Sequence, residues 1–483
     1  LTAVVYSFSL VRGPGFWDTG ELQTVPYILG LAHPTGYPAE IVAGWLFTHA
    51  LPFGEPAVRM NLFCMLCVVV ATWCCCGIAL LLGADALVAF GASLVFAFAP
   101  VTWAHATHAD VTDPALALCA LVTYFALLAV TTGSQGSLVA AAVFAGAAFG
   151  THGMIVWFLP LPLLLVLVSR DRRLLVGLPA CALLTIGVAA AFYVYMPLRS
   201  AYVTAHQLDP SYVLGLGRGM PFWDLGHPAT WQGFIDIATG RNVGATQPLW
   251  SIVDPRGYPH DVAFALAQAS SVAAWPLLIF LALAAVFAAA RSPRVALFFL
   301  PAIMVTPFAA NFANESDVSR YYTFPLLCLC AAAAAGLTAL GTLAPSRAPT
   351  VTRLVALALV GITAYEAYAG RGLFVRDRDS VAADYADRVI ASSADNAVLI
   401  ADWVYATPLA YAMFVRHAGG HRVLVTGAPE EFPKSLQGWM DRHTVFAIAE
   451  APPHVKARVA LVRELGINPG PHDPKLYRLH LLH

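Results

Sequence analysis

Charge is what this sequence has least of. Only 11% of its 483 residues are Asp, Glu, Lys or Arg, against 59% hydrophobic, whereas a soluble domain carries about a quarter charged residues. The deficit excludes an ordinary soluble chain, and the repeated long apolar runs point to a polytopic membrane protein. Net charge is −1, so the basic field that holds nucleic acid is missing. So is a Gly-rich phosphate loop, the usual mark of a nucleotide-binding domain. No cysteine lies in a loop: Cys64, Cys67, Cys74, Cys75, Cys76, Cys119, Cys181, Cys328 and Cys330 all fall in apolar runs, which argues for small packing residues rather than disulfides. Cys74 to Cys76 are consecutive and point to different helix faces, which disfavours a metal centre there. No short-period or half-to-half repeat is visible. The chain opens inside an apolar run without an evident cleavable signal, so a trimmed N-terminus is expected. Arginine far outnumbers lysine, and with the abundant alanine this suggests a GC-rich bacterial genome.

Apolar runs begin near residues 1, 58, 86, 113, 136, 153, 174, 262, 294, 321 and 351, which predicts about eleven transmembrane helices. Arg170, Arg172 and Arg173, then Arg291 with Arg294, then Arg347, assign three turns to the cytoplasm. Segments 13–57, 101–112, 198–261 and 311–320 then share the extracytoplasmic side. The run Ala39 to Leu51 is bracketed by Pro38 and Pro52. A span there would put Asp18 on the opposite face from the other candidate residues, so it is predicted to lie in the interface. Residues 1–370 thus form a membrane module. Residues 371–483 have ordinary charge density, and the strings 397–400, 423–425 and 445–448 read as strands of a small extracytoplasmic α/β domain.

The polar residues of the four outer segments carry the chemistry. Asp18 and Glu21 stand three apart just after the first apolar segment, ahead of a loop containing His33, Pro34, Gly36, Tyr37 and Pro38. Carboxylates at a membrane boundary are costly unless hydrated or paired. The second segment supplies His105, His108, Asp110 and Asp113. The third supplies Arg199, Trp223, Asp224 and Arg241, and the fourth Asn314 to Asp317 and Arg320. A carboxylate can take a proton from a hydroxyl, and arginine grips phosphate bidentately. Together they suit transfer from a lipid phosphate to a hydroxyl. Blander roles stay open: Asp18 and Glu21 as first-turn acids of an interfacial helix, Arg199 and Arg320 as snorkelling residues, His105 and His108 as interfacial polar groups. Adding Asp110 leaves room for a divalent metal, though none is firmly implied. His152, in the break Gly150-Thr151-His152-Gly153, either lines a cavity or caps a helix.

The string WDTGELQTVPYILGLAHPTGYP (17–38) resembles the opening signature of a bacterial membrane family related to the protein O-mannosyltransferases that act on plexin-type domains. The resemblance continues through Pro52-Phe53-Gly54, Arg59-Met60-Asn61-Leu62, the His105–Asp113 segment, Thr151-His152-Gly153, YVYMPLRS (193–200) and WDLGHPATWQGFIDIATGRN (223–242). It implies a GT-C glycosyltransferase fold, with two interfacial helices in the first outer loop. It further implies inverting transfer of a sugar, mannose above others, from a polyprenyl-phosphate carrier to a hydroxyl, with protein Ser/Thr, lipid or glycan as acceptor. By position Asp18 becomes the general base and Glu21 its neighbour. Arg199, Arg320 and Arg241 fall to the donor phosphate. His33, Tyr37, His105, His108, Asp110, His152, Trp223 and Asp224 fall to substrate binding. Asp110 stands where the family tends to have Glu, and His105 and His108 replace more neutral residues. The expected location is the bacterial inner membrane, with the site on the extracytoplasmic side. A transporter of lipid-linked sugars or glycans is the main competitor. Transporters place polar sites near mid-membrane and often repeat their halves, whereas these polar groups gather at one boundary.

Overall fold

The computed structural model describes residues 1–241, 256–311, 318–343, 348–374, 380–467 and 473–481. Asn314 to Asp317, Asn242 and Arg347 lie outside the described residues. Six of the described helices are long and apolar enough to cross a membrane: Pro56–Leu81, Thr112–Thr132, Arg172–His206, Pro293–Ala310, Val318–Gly341 and Thr350–Tyr368. A seventh arises if Tyr258–Val272 and Trp275–Ala289, bent by 112° at their junction, count together. The difference from eleven apolar runs has a local cause. The runs near 86, 136 and 153 become the shorter helices Ala86–Phe98, Gln135–Phe149 and Gly153–Ser169, and the run near 1 forms only the eight-residue helix Thr2–Ser9. Asp85 and Ser134 cap the first two by accepting the Leu87 and Ser137 amides, and Pro100 and the Gly150–Gly153 break interrupt the chain after them.

The first loop holds two short helices, Trp17–Ile28 of 12 residues and Pro38–Ala50 of 13. At 1.5 Å per residue each spans under about 20 Å, too short for a bilayer core of about 30 Å. The apolar run at 39–51 therefore forms a helix without being a span. Inside the bundle, Val68, Cys75, Phe96, Leu116, Phe324 and Leu327 belong to one continuous core. Gly336 lets two helices touch there: a Cβ would lie 1.9 Å from the Ala284 carbonyl oxygen, the close approach that small residues permit in membrane bundles.

Toward the C-terminus the chain builds a sheet of β1 (Val398–Ala401), β2 (Val423–Thr426), β3 (Val445–Ala449), β4 (Arg458–Glu464) and β5 (Lys475–His480), in the order β2-β1-β3-β5-β4. β2, β1 and β3 run parallel, and β5 pairs antiparallel with β3 and β4. β1 is buried along its whole length, as a central parallel strand must be. The sheet does not stand apart from the first loop. Leu22, Val25, Ile41 and Phe222 share a core with Tyr385, Leu399, Ala406, Leu409 and Phe446. Gly20 makes that union possible, because a Cβ there would sit 2.9 Å from Thr407 Cβ and 2.4 Å from the Gly15 carbonyl. Tyr411 reaches the start of the Pro56–Leu81 helix, accepting the Ala57 amide at 2.9 Å and donating to Glu55 at 2.8 Å.

Candidate active site

The site begins with how the first loop is tied down. Gln23 Oε1 accepts the Gly15 amide at 2.8 Å, and its Nε2 donates to Asn61 Oδ1 at 2.8 Å. Asn61 is fully buried; its Oδ1 also accepts the Ala109 amide at 2.9 Å and its Nδ2 donates to the Val11 carbonyl at 2.8 Å. One amide thus fastens the Trp17–Ile28 helix, the chain before it and the second loop together. The helix ends at Leu29 in a left-handed cap. The return strand is held by the Leu31 amide donating to the Phe222 carbonyl at 3.0 Å and by the Tyr195 hydroxyl donating to the Gly30 carbonyl at 2.5 Å. His33 is thereby laid back over Glu21.

Asp18 and Glu21 then play different parts. The Glu21 side chain has no solvent exposure, while that of Asp18 is 32% exposed. Glu21 accepts the His33 amide at 2.8 Å on Oε1 and the His33 Nδ1–H on Oε2. His33 Nε2 donates to the Tyr37 hydroxyl at 2.7 Å, which donates on to the Pro34 carbonyl at 2.8 Å. Burial alone would lower the His33 pKa; the Glu21 carboxylate, with Asp18 adding, overrides it and pushes the imidazole up to about 9. His33 is a cation at neutral pH, with its Nε2 4.0 Å from Asp18 Oδ2. Asp18 is the carboxylate left accessible.

The second group lies on the far side of Tyr37. The Tyr37 ring stacks on His152 with centroids 6.0 Å apart, and His152 meets Tyr321 at 5.8 Å. Burial and then the Arg320 charge hold His152 down at about 3, so it is neutral, and its Nδ1 accepts the Met154 amide at 3.1 Å. Arg320 Nη1 is 3.7 Å from Asp110 Oδ2, which also accepts His105 Nδ1–H at 3.0 Å. Asp110 Oδ1 accepts the Thr112 amide and hydroxyl at 2.7 and 2.6 Å. Burial opposes ionisation of Asp110, but His105, then Arg320 and His108, hold it well below the usual carboxylate range. His108 completes this group, its ring 5.8 Å from His105.

The structure therefore brings together Asp18, Glu21, His33, Tyr37, His152, His105, His108, Asp110 and Arg320. It places the remaining candidates elsewhere. Arg199 donates to the Ile28 carbonyl at 3.0 Å, capping the far end of the Trp17–Ile28 helix, about 15 Å along the axis from Asp18. The Arg241 side chain is 66% exposed and 4.0 Å from Asp236. Asp224 accepts His227 Nδ1–H at 2.8 Å and the Gly219 amide at 3.3 Å, organising its own loop, and Trp223 packs on Phe414 at 5.7 Å, joining that loop to the C-terminal part. Two residues of this region escape a reading of the sequence. Glu40 is buried with both carboxylate oxygens unbonded; burial, then Asp110 and Asp113, push its carboxyl well above its ordinary value. Its only sequence signal is that it is the single acid in the 39–51 run. Trp403, whose ring lies 6.1 Å from His33, comes from far along the chain and has none.

Among the described residues, two triads have ligand atoms within 4.8 Å of one another, Asp18-Glu21-His33 and His105-His108-Asp110. The first does not fit a metal, because His33 is a cation bonded through both ring nitrogens. The second fits poorly, since Asp110 already spends both oxygens on Thr112, His105 and Arg320.

Residues 18–175 match the family model described as the protein O-mannosyl-transferase TMEM260 N-terminal domain. The chain is 26% identical over 239 residues to protein O-mannosyl-transferase TMEM260 of Mus musculus, covering 48% of this chain and 32% of that protein; it thus spans about a third of its relative's length. Among solved structures it resembles ArnT from Cupriavidus metallidurans bound to undecaprenyl phosphate, with a TM-score of 0.55 at 14% identity over 99% of this chain and 96% of that one. It also resembles the Archaeoglobus fulgidus oligosaccharyltransferase in complex with Zn and sulfate, with a TM-score of 0.55 at 14% identity over 92% of this chain and 67% of that one. Through residues 18–175, which carry its acid cluster, the chain is similar to the TMEM260 N-terminal domain, and its fold is similar to those of the ArnT and oligosaccharyltransferase structures.

Proposed function

We propose that this protein is an inverting GT-C glycosyltransferase. It moves a sugar, mannose by kinship, from a polyprenyl-phosphate carrier to a protein Ser/Thr hydroxyl on the extracytoplasmic face of a bacterial inner membrane. The observation that carries this reading is one accessible carboxylate, Asp18, beside a buried Glu21–His33 ion pair and in one polar cluster with Arg320.

Asp18 takes the proton of the acceptor hydroxyl. That oxygen forms a bond to the anomeric carbon as the bond from the anomeric carbon to the phosphate oxygen breaks on the opposite face. Polyprenyl phosphate leaves with the bonding pair, and the phosphate gains charge. Arg320 stabilises that charge, an interaction stronger in the transition state than before it. The His33 imidazolium lies 4.0 Å from Asp18 and, being protonated, does not compete for the acceptor proton. Tyr37 and the neutral His152 wall the space between base and phosphate, and His105 and His108 orient Asp110, which aims Arg320. Arg199 and Arg241 serve structure rather than the phosphate. An apolar cavity of about 260 Å³, lined by Val272, Phe298, Tyr322 and Leu326, opens two residues from Arg320 and suits the first isoprene units of the tail. Residues 1–370 carry the chemistry and residues 371–483 the acceptor side. No step needs a metal.

A reconstituted protein given polyprenyl-phosphate mannose and Ser/Thr peptides separates the readings. Transfer to peptide supports the enzyme. Movement of the lipid-linked sugar across the vesicle without new glycosidic product supports a transporter and overturns it.

A further inference from the structure

Resting on that reading, we infer that Thr407, on the helix that leaves β1, is a positioning residue for the base. Its side chain sets where the Trp17–Ile28 helix stands, and so where Asp18 meets the acceptor hydroxyl. The two acids of that helix are held in different ways. Glu21 is fixed by its own bonds to the His33 amide and ring. Among the described residues no donor bonds the Asp18 carboxylate, and His33 Nε2 stands off at 4.0 Å. Asp18 is therefore aimed by its backbone, and that backbone is placed by what packs on the helix.

The packing comes from the C-terminal part. The helix Trp403–Ala410 starts one residue after β1. Thr407, in its middle, is fully buried. It meets the Trp17–Ile28 helix at Gly20, between Asp18 and Glu21, where a Cβ would lie 2.9 Å from both Thr407 Cβ and Oγ1. In a contact this close, one added or missing methylene is taken up by movement or left as a void. The Trp403–Ala410 helix is itself anchored at both ends. Near its start the Trp403 ring lies 6.1 Å from His33, and the Tyr405 carbonyl accepts the Tyr385 hydroxyl at 3.0 Å. Tyr385 in turn packs at 5.6 Å on Phe16, the residue that precedes the Asp18 helix. Past its end the helix widens to a π turn, Tyr411–Val415. There Tyr411 donates to Glu55 at 2.8 Å, and Arg416 Nε pairs with Glu55 at 3.1 Å. A larger side chain at 407 would therefore displace the Asp18 helix rather than its own, and a misplacement of about 1 Å at a reacting group can cost about 10²-fold in rate. The Thr407 hydroxyl makes only a long local bond to the Val404 carbonyl, at 3.4 Å. Its branched shape is what acts.

The test uses the full-length protein, polyprenyl-phosphate mannose and a Ser/Thr peptide, with kcat, both KM values and melting temperature measured for each variant. Thr407→Leu should lower kcat about 10- to 100-fold while each KM stays within about twofold. Thr407→Ala, which loosens the contact without crowding it, should lower kcat about 3- to 10-fold with the same unmoved KM values. Thr407→Val, which keeps the branched shape, should hold kcat within about twofold of the wild type. If Thr407→Leu does not fold, the comparison of Thr407→Ala with Thr407→Val decides. A lower melting temperature with wild-type kcat in Thr407→Ala would make the contact structural only and overturn the inference. A raised KM with unchanged kcat, or a Thr407→Val as slow as Thr407→Ala, would overturn it too. Each of these results leaves the transferase reading standing, whereas a wild type that transfers to no acceptor would end both.

Discussion

At the scale of single residues, the pair Asp18 and Glu21 shows how two like groups acquire unlike tasks. Glu21 is enclosed and paired with His33, which leaves Asp18 as the accessible carboxylate to which the proposed mechanism gives the role of base. The His33 charge carries a sign that can be measured. Its pKa in the folded protein, about 9, lies above the ordinary 6.5, so its stabilising contribution is complete below about pH 6.5 and is lost as pH rises through about 9. Thermal stability and transfer should therefore decline together over that window in the wild type. His33→Asn should show the low plateau at every pH; a variant that keeps the alkaline decline would assign it to another group. The arginines make a second residue-level contrast. Arg320→Ala removes a charge-assisted contact of about 1.5–3 kcal/mol to the phosphate, so kcat/KM for the donor should fall roughly 10- to 100-fold, with kcat reduced as well as the donor KM raised. Arg199→Ala should lower melting temperature and leave the donor KM alone, because its guanidinium holds the Ile28 carbonyl. Donor titrations of the two variants decide the matter, and equal KM effects would contradict it. Residue types and spacing exposed Asp18, Glu21, His33 and the His105–Asp110 group, since acids and histidines at a membrane boundary stand out. They could not say which arginine faces them, because that is settled by packing between segments far apart in the chain.

At the scale of elements, the site depends on a junction rather than on any one helix. Asn61 bonds to Gln23, Ala109 and Val11, so it joins three segments through one side chain. Asn61→Leu would leave those buried partners unpaired at about 1–3 kcal/mol each, and the expected result is loss of several degrees of melting temperature together with most of the transfer rate. A variant melting like the wild type would show that the junction is held otherwise. Hydropathy located the apolar runs, but it could not tell a crossing helix from a shorter one. The 39–51 segment was legible as a helix too short to cross because Pro38 and Pro52 bound it, and its 13 residues agree with that reading. The runs near 86, 136 and 153 were not legible in length, because caps and breaks such as Asp85, Ser134 and Gly150–Gly153 set their ends.

At the scale of the whole molecule, the sheet near the C-terminus and the first loop form one body with a common core, and the acid cluster lies where they meet. The short apolar strings foretell β1, β2 and β3, but nothing in them tells that Trp403 would come to rest against His33 some 370 residues earlier. The proposed mechanism divides the work accordingly, with the bundle and Arg320 for the lipid donor and Asp18 at the junction with the sheet. The most direct measurement pairs the wild type with Asp18→Asn, which is nearly isosteric, and follows both mannosylated product and released polyprenyl phosphate from the same reaction. The wild type should yield the two in equal amounts, and Asp18→Asn, extracted and melting like the wild type, should be slower by about 10²- to 10⁴-fold. Turnover by Asp18→Asn within about twofold of the wild type would contradict the assignment of this carboxylate as the base.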